Sequence, residues 1–269
     1  MFVKIEFECE KLLKALIIAG EAAKNIQTGK DSRILDAEGL FVKFIEHVCS
    51  TFYLFRGTKI QEFTIDFIDN GSINVLGRSA IETFLVFHYV FVEPTTEAEK
   101  DFRYWSWVLG GLMDRQKYPT KFQHTKEKKI REKTIIADIK QKLRDNSVFK
   151  TLSDEVKKGI IKEGKWRLKS WSKIALSAGL SKIHAKHFYN YLCGYAHSGS
   201  LSILQIRQAY SLDIQKKLAE TTCKVILIAI AFMIKSYGFI FPQSNDALKM
   251  NSELSEVIQK WINIGKHSI

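Results

Sequence analysis

At 269 residues, 46% hydrophobic and 12% aromatic, the chain has the means to bury a sizeable core, which excludes a disordered polymer. Fifteen glycines and three prolines exclude a collagenous or low-complexity chain, and Cys9, Cys49, Cys193 and Cys223 lack the close spacing of a disulfide framework or zinc knuckle, which points to a reducing cytoplasm. The net charge is +12, and residues 117–173 carry 18 Lys+Arg against 7 Asp+Glu, so nearly all of the excess sits in one stretch.

The charges among the first twenty residues, including Glu6, Glu8, Glu10 and Lys11, leave no apolar signal segment. Apolar spacing predicts a helix over Glu6–Asn25, with Gly29 in its exit, and a second over Leu35–Phe55, stopped by Gly57. The alternation in Gln61–Phe67 suits one short strand. A third helix is expected near Ser72, after the turn Asp69-Asn70-Gly71, running to Pro94. Thr96–Met113 makes a fourth, aromatic helix, closed by Gly110-Gly111. In the basic stretch, Thr125–Leu143 and a segment after the cap residue Ser153 read as helices. Ser170–Leu180 and Lys182–His197 follow, parted near Gly179; then come Asp213–Tyr237 and Asp246–Ile264. The most apolar run, Val225–Ile234, is about half the roughly 20 residues a bilayer span needs, so a buried core helix is expected and no membrane association. Together these predict an all-α multi-helix bundle, a single domain over 1–269 with a basic helical insertion at 117–173 and C-terminal helices.

No P-loop, GxGxxG, HExxH or GxSxG is present, and no carboxylate cluster suits two-metal chemistry. Two helices carry unusual polar content. Arg78 and Glu82 stand four apart in an otherwise apolar helix, either as a structural ion pair or as a pair that aims Arg78 at a phosphate. Lys182–Ser200 holds His184, His187, Tyr191, Tyr195 and His197. The two tyrosines fit a core stripe or a substrate contact. His184 and His187 lack a third ligand at a metal-binding spacing. His197, at the helix end with Gly199 as a possible C-cap, is placed either to cap a carbonyl or to move a proton. Phe122, Phe149, Trp166 and Trp171 interleave with the basic stretch, as stacking on unpaired bases requires; a solvated helical face, or docking to an acidic protein or membrane surface, are the other accounts.

GRSAIETFLVFHYVF, KDFRYWSW and HFYNYLCGYAHSGSLSI together resemble a family of uncharacterised bacterial all-helical proteins with an Arg-x-x-x-Glu helix, a downstream Phe-Arg and a late Tyr-x-x-x-x-x-His-Ser segment. That family is similar in outline to the HEPN superfamily of helical bundles, many of them ribonucleases of toxin–antitoxin and antiphage systems. The resemblance spans Leu76–Ile206. It implies a cofactor-free, metal-independent endoribonuclease, a toxin or antiphage-defence effector, with Arg78, Glu82, Arg103, Tyr191 and His197 in its site. It also implies a homodimer, and a protein partner such as an antitoxin or a defence-complex subunit. HEPN nucleases place Arg and His on one helix, whereas Asn190–Leu192 offers no Arg. His197 therefore needs an arginine from another helix, Arg78 first and Arg103 second. RNA would lie on Lys126, Lys128, Lys129, Arg131, Lys133, Lys165, Arg167 and Lys169. The rival expectation is a non-catalytic RNA- or protein-binding module in which the same residues form an interior polar network. The two differ in solvent access, since a catalytic His197 must stand open beside its arginine and a structural one would be sealed.

Overall fold

The computed structural model describes residues 5–24, 32–60, 62, 65–197 and 199–267. It is an all-α bundle, as the periodicity predicts. The chain divides into two compact units: residues up to His88 together with those from Trp171 onward, and Tyr89–Ser170 between them. A boundary drawn on charge, at 117–173, catches only part of the inserted unit, because its first helix is aromatic rather than basic.

In the first unit, α1 (Ile5–Ala23) and α2 (Ser32–Phe55) lead into a hairpin of β1 (Thr58–Ile60) and β2 (Ile65–Phe67), paired antiparallel with Thr58 opposite Phe67. The expected lone strand thus has a partner; Gln61, Phe63 and Thr64, like Asn25 and Gly29, lie outside the described residues. The third helix, α3 (Asn70–Phe87), starts earlier than Ser72 because the cap is Asp69, whose carboxylate accepts the Ser72 amide at 2.9 Å. It continues into a π-helical turn at His88–Val92.

The inserted unit begins in that turn and contains α4 (Glu97–Lys117), α5 (Gln123–Asp145), α6 (Ser147–Lys150) and α7 (Asp154–Glu163). Gly110-Gly111 do not end α4, which runs on to Lys117. Gly110 instead lets the helix meet the carbonyl of Gly164, since a Cβ there would stand 2.8 Å from that oxygen. Ser153 caps α7 as expected. Phe102 and Leu109 of α4 pack with Ile139 and Leu143 of α5, Phe149 and Ile160 as a core of their own.

The chain returns to the first unit through α8 (Trp171–Ser177), α9 (Lys182–Ala196), α10 (Ser200–Gln208), α11 (Leu212–Ile240), α12 (Pro242–Lys249) and α13 (Ser252–Lys266). Gly179, at φ +96°, turns the chain between α8 and α9. Pro242 opens α12 as its first residue, where a missing N–H costs nothing. Every residue of Val225–Ile234 in α11 is buried. α3 with its π-helical continuation (Asn70–Val92) and α11 are both long and apolar enough to cross a membrane, yet 78% of the α11 window is buried inside the fold, which fits a core helix. Phe84 and Phe232 meet edge to face, and Tyr237 stacks on Phe41 at 3.7 Å between centroids. α3 lies against α2, α9 and α11, while α1 and α13 cover α11 from other sides. Val257, Trp261 and Ile262 belong to this core, and the Trp261 indole donates to the buried Glu8 carboxylate at 2.5 Å.

Gly265 sets the closest approach of α13 to α11. A Cβ there would lie 2.5 Å from the Phe232 ring and 2.7 Å from Ile228 Cγ2. Its carbonyl accepts the Ser181 amide at 2.9 Å and faces His184 Nδ1 at 3.0 Å, so it also anchors the start of α9. Gly265→Ala gains up to about 1 kcal/mol of helix propensity but forces overpacking that costs typically about 1–3 kcal/mol. The contacts are well below van der Waals distance, so the second effect wins. Urea unfolding of the variant is expected to give a net loss of about 1–2 kcal/mol.

Candidate active site

Arg78 projects from α3 next to Gly77, whose missing side chain lets α3 approach Thr222 and Ile226 of α11; a Cβ there would lie 3.0 Å from Thr222 Cγ2. Across from it runs α9, capped at its start by Ser181. The face of α9 toward Arg78 carries Tyr189, Cys193 and His197, spaced four apart. His197 itself is the C-cap of α9, and its N–H returns to the Cys193 carbonyl at 3.0 Å. Gly199 is the N-cap of α10 rather than the C-cap of α9. Its amide donates to the Gly194 carbonyl at 2.7 Å. Ser198 lies outside the described residues.

The Arg78 guanidinium uses all three nitrogens. Nε donates to Glu82 at 3.0 Å, Nη2 to the Tyr189 hydroxyl at 3.1 Å, and Nη1 meets His197 Nε2 at 3.1 Å. A guanidinium has no lone pair to offer, so His197 Nε2 is the acceptor and the proton of the neutral ring belongs on Nδ1. Burial works against the charge on Arg78, but the hydrogen bond and charge of Glu82 outweigh it and hold its pKa above the ordinary arginine value. The Arg78 side chain is 19% exposed, whereas His197 is open to solvent. Burial, with hydrogen bonds to Cys193 and Glu82 and the charge of Glu82, pushes the Tyr189 hydroxyl up to about 12, so it remains a protonated donor at neutral pH. The arrangement therefore joins a fixed cation, an accessible imidazole with its lone pair directed at that cation, and a hydroxyl. Such a set can hold a phosphate and move a proton beside it.

Of the five residues expected in the site, the fold joins Arg78, Glu82 and His197. Tyr191 is on another side of α9; its ring meets Tyr195 edge to face at 5.9 Å, and the Tyr195 hydroxyl donates to Gln205 at 2.8 Å. Tyr189 holds the position expected of Tyr191. Stepping back from His197 by four and eight residues identifies Cys193 and Tyr189, a helical spacing that a motif of six does not respect. Arg103 belongs to the inserted unit, where it pairs with Glu93 at 2.5 Å, donates to the Tyr89 carbonyl and lies over the Tyr89 ring. Its guanidinium is thus committed within that unit. His184 stacks on Phe188. Among the described residues no three His, Cys, Asp or Glu side chains converge to hold a metal.

The basic candidates divide in the same way. Lys126, Lys128, Arg131 and Lys133 are exposed on α5. Lys129 donates instead to the Gln116 and Tyr118 carbonyls at the C-terminal end of α4, Lys165 pairs with Glu163, and Lys169 with Glu93. Arg167 is half-buried. Phe149 is a core residue, while Phe122 is 70% exposed.

The raised Tyr189 pKa gives a signed test. The neutral phenol is favoured by the fold, so this contribution is intact below about pH 10, the unfolded value, and is lost as pH rises from there toward 12. Melting temperatures measured across that window are expected to fall less steeply for Tyr189→Phe than for the wild type.

No curated protein and no solved structure matches the chain. A family described as of unknown function, DUF5677, matches residues 39–209, a span that contains α3, α9 and every member of the Arg78 cluster. The chain belongs to the DUF5677 family.

Proposed function

We propose that the chain is a metal-independent endoribonuclease, HEPN-like in type, acting in a reducing cytoplasm as a toxin or antiphage-defence effector. The observation that carries this reading is the meeting of Arg78 Nη1 with the solvent-open imidazole of His197 across 119 positions of sequence. A histidine serving only the interior would be sealed and fully bonded.

In the proposed reaction a phosphodiester enters beside Arg78 and takes the guanidinium edge that now meets His197. The freed Nε2 lone pair removes the proton of the RNA 2′-hydroxyl. The 2′-oxygen attacks its own phosphorus, the bond to the 5′-oxygen breaks, and that oxygen leaves with a proton from solvent. Arg78, steadied by Glu82, balances charge building on the phosphoryl oxygens, and the Tyr189 hydroxyl donates to the same group. The products are a 2′,3′-cyclic phosphate and a 5′-hydroxyl. Exposed cations on α5 supply attraction for the RNA backbone.

Labelled RNA incubated with the purified chain in EDTA is expected to yield 2′,3′-cyclic phosphate ends. His197→Ala should lose on the order of 10²–10⁴-fold in rate. Its melting temperature should stay close to that of the wild type, since the ring is exposed. Salt-sensitive RNA binding with no cleavage would instead mark a binding module. Changing Lys126, Lys128, Arg131 and Lys133 to Gln should weaken binding and flatten the dependence of log K on log salt by about 0.7 per lost phosphate contact.

A further inference from the structure

The charges of α5 are sorted by edge. At about 100° per residue, Lys126, Lys133, Lys140 and Arg144 lie within about 40° of one another, on a line about 27 Å long. Lys126, Lys133 and Arg144 are exposed, Lys140 is half-buried, and none has an ion-pair partner among the described residues. Glu127, Asp138 and Asp145 occupy a second line, at least about 100° away, and Gln123 and Gln141 donate to the first and last of them. Beyond that acidic line stand Lys128, Arg131 and Lys142, but the Lys142 ammonium already lies over the Trp105 ring, 4.0 Å from its centroid. The Lys126 edge is thus the longest row of uncommitted positive charge on this helix.

The same edge begins at an aromatic residue. The Lys126 amide donates to the Phe122 carbonyl at 3.1 Å, so Phe122 sits one turn before it. Phe122 is 70% exposed, makes no side-chain cap bond, and has its ring beside His124 at 5.9 Å between centroids. Tyr118, the C-cap of α4, is also 70% exposed, and the Lys129 ammonium donates to its carbonyl at 2.7 Å, which ties it to α5. Lone exposed aromatics are ordinary on protein surfaces. Two of them at the head of a row of unpaired cations are the parts of a single-strand site, in which rings stack on bases and cations follow the phosphates.

We infer that the Lys126 edge of α5, headed by Phe122 and Tyr118, is a track for single-stranded RNA. Bases stack on the two rings, and the phosphates pass along Lys126, Lys133, Lys140 and Arg144. At the roughly 3.4 Å advance of a stacked strand, about eight nucleotides match the length of the row. The inference rests on the proposal that RNA is the substrate, and it specifies unpaired RNA. A duplex presents base faces only at its ends, so it can use the cations but not the rings. An anionic bilayer is the poorer fit. A surface-bound helix inserts an apolar face, and that of α5, with Ile139 and Leu143, is already taken up by the core of its unit.

Fluorescence anisotropy of the full chain with a short, labelled, unstructured 2′-O-methyl RNA tests this without cleavage, because such a strand has no 2′-hydroxyl to attack. The strand should bind about tenfold or more tightly than the same strand annealed to its complement. Phe122→Ala should weaken the single strand by about 5- to 150-fold with little effect on the duplex, at an unchanged melting temperature, and Phe122→Trp should restore binding. Lys126→Gln with Lys133→Gln should flatten the slope of log K against log salt by about 1.4, while Lys128→Gln with Arg131→Gln should leave it nearly unchanged. Equal affinity for strand and duplex, undiminished binding by Phe122→Ala, equal losses from the two pairs of substitutions, or binding to phosphatidylserine vesicles but to no RNA would overturn the track. The ribonuclease reading fails separately, on unmodified RNA in EDTA. A chain that cuts RNA but binds duplex and strand alike loses only the track, whereas one that prefers the strand but cuts nothing keeps it.

Discussion

The first unit depends on the need to cover α11. Ten consecutive apolar residues, Val225–Ile234, leave this helix no solvent face in its central turns, so other helices must pack around it. Each buried Leu, Ile, Val, Phe or Met contributes about 1.5–3 kcal/mol against the conformational entropy of ordering the chain. That requirement places α3 along α11 at Gly77 and α13 along it at Gly265, where no side chain intervenes. The two contacts do different work for the site. The first fixes the helix that carries Arg78. The second holds α9 through the Gly265 carbonyl, and so fixes the helix that ends at His197.

Polar chemistry is then arranged on a rigid apolar frame. Arg78 is less than one-fifth exposed and would be costly without partners, and Glu82 one turn away on the same helix supplies the charge it needs. The remaining two guanidinium nitrogens reach across to α9. This explains how one ion pair can be both structural and available for chemistry: Nε is spent on Glu82, while Nη1 and Nη2 face exchangeable partners. The alternatives of a structural or a functional pair are accordingly not exclusive.

Much of the helical architecture could be read from residues because it rests on local signals. The Ser153 cap, the turn at Gly179 and the apolar run bounded by Lys224 and Lys235 each act within a few positions. α10 has no such signal, because Ser200–Gln208 carries no amphipathic stripe: Leu201, Ile203, Leu204 and Ile206 all remain exposed. Charge alone does not mark the inserted unit, because the basic run begins near α5 whereas the core of the unit already includes Phe102 and Leu109 of α4. Within the site, Arg78 with Glu82 follows from a four-residue step, but its meeting with His197 depends on packing between distant segments. Arg103 shows the converse. Nothing nearby in sequence reveals that Glu93 and the Tyr89 carbonyl hold it elsewhere.

The discontinuity of the first unit bears on when the site comes into being. Arg78 leaves the ribosome well before His197, with the whole of Tyr89–Ser170 synthesised between them, and the helix on which both depend, α11, follows later still. The inserted unit is continuous in sequence and can gather its own core as it emerges, whereas the first unit cannot close until α11 and α13 are free. A nascent chain therefore carries Arg78 and Glu82 without their imidazole until α11 and α13 have emerged. For a protein whose proposed substrate is RNA, this order of synthesis keeps the cluster unassembled while the segments through α13 are being translated.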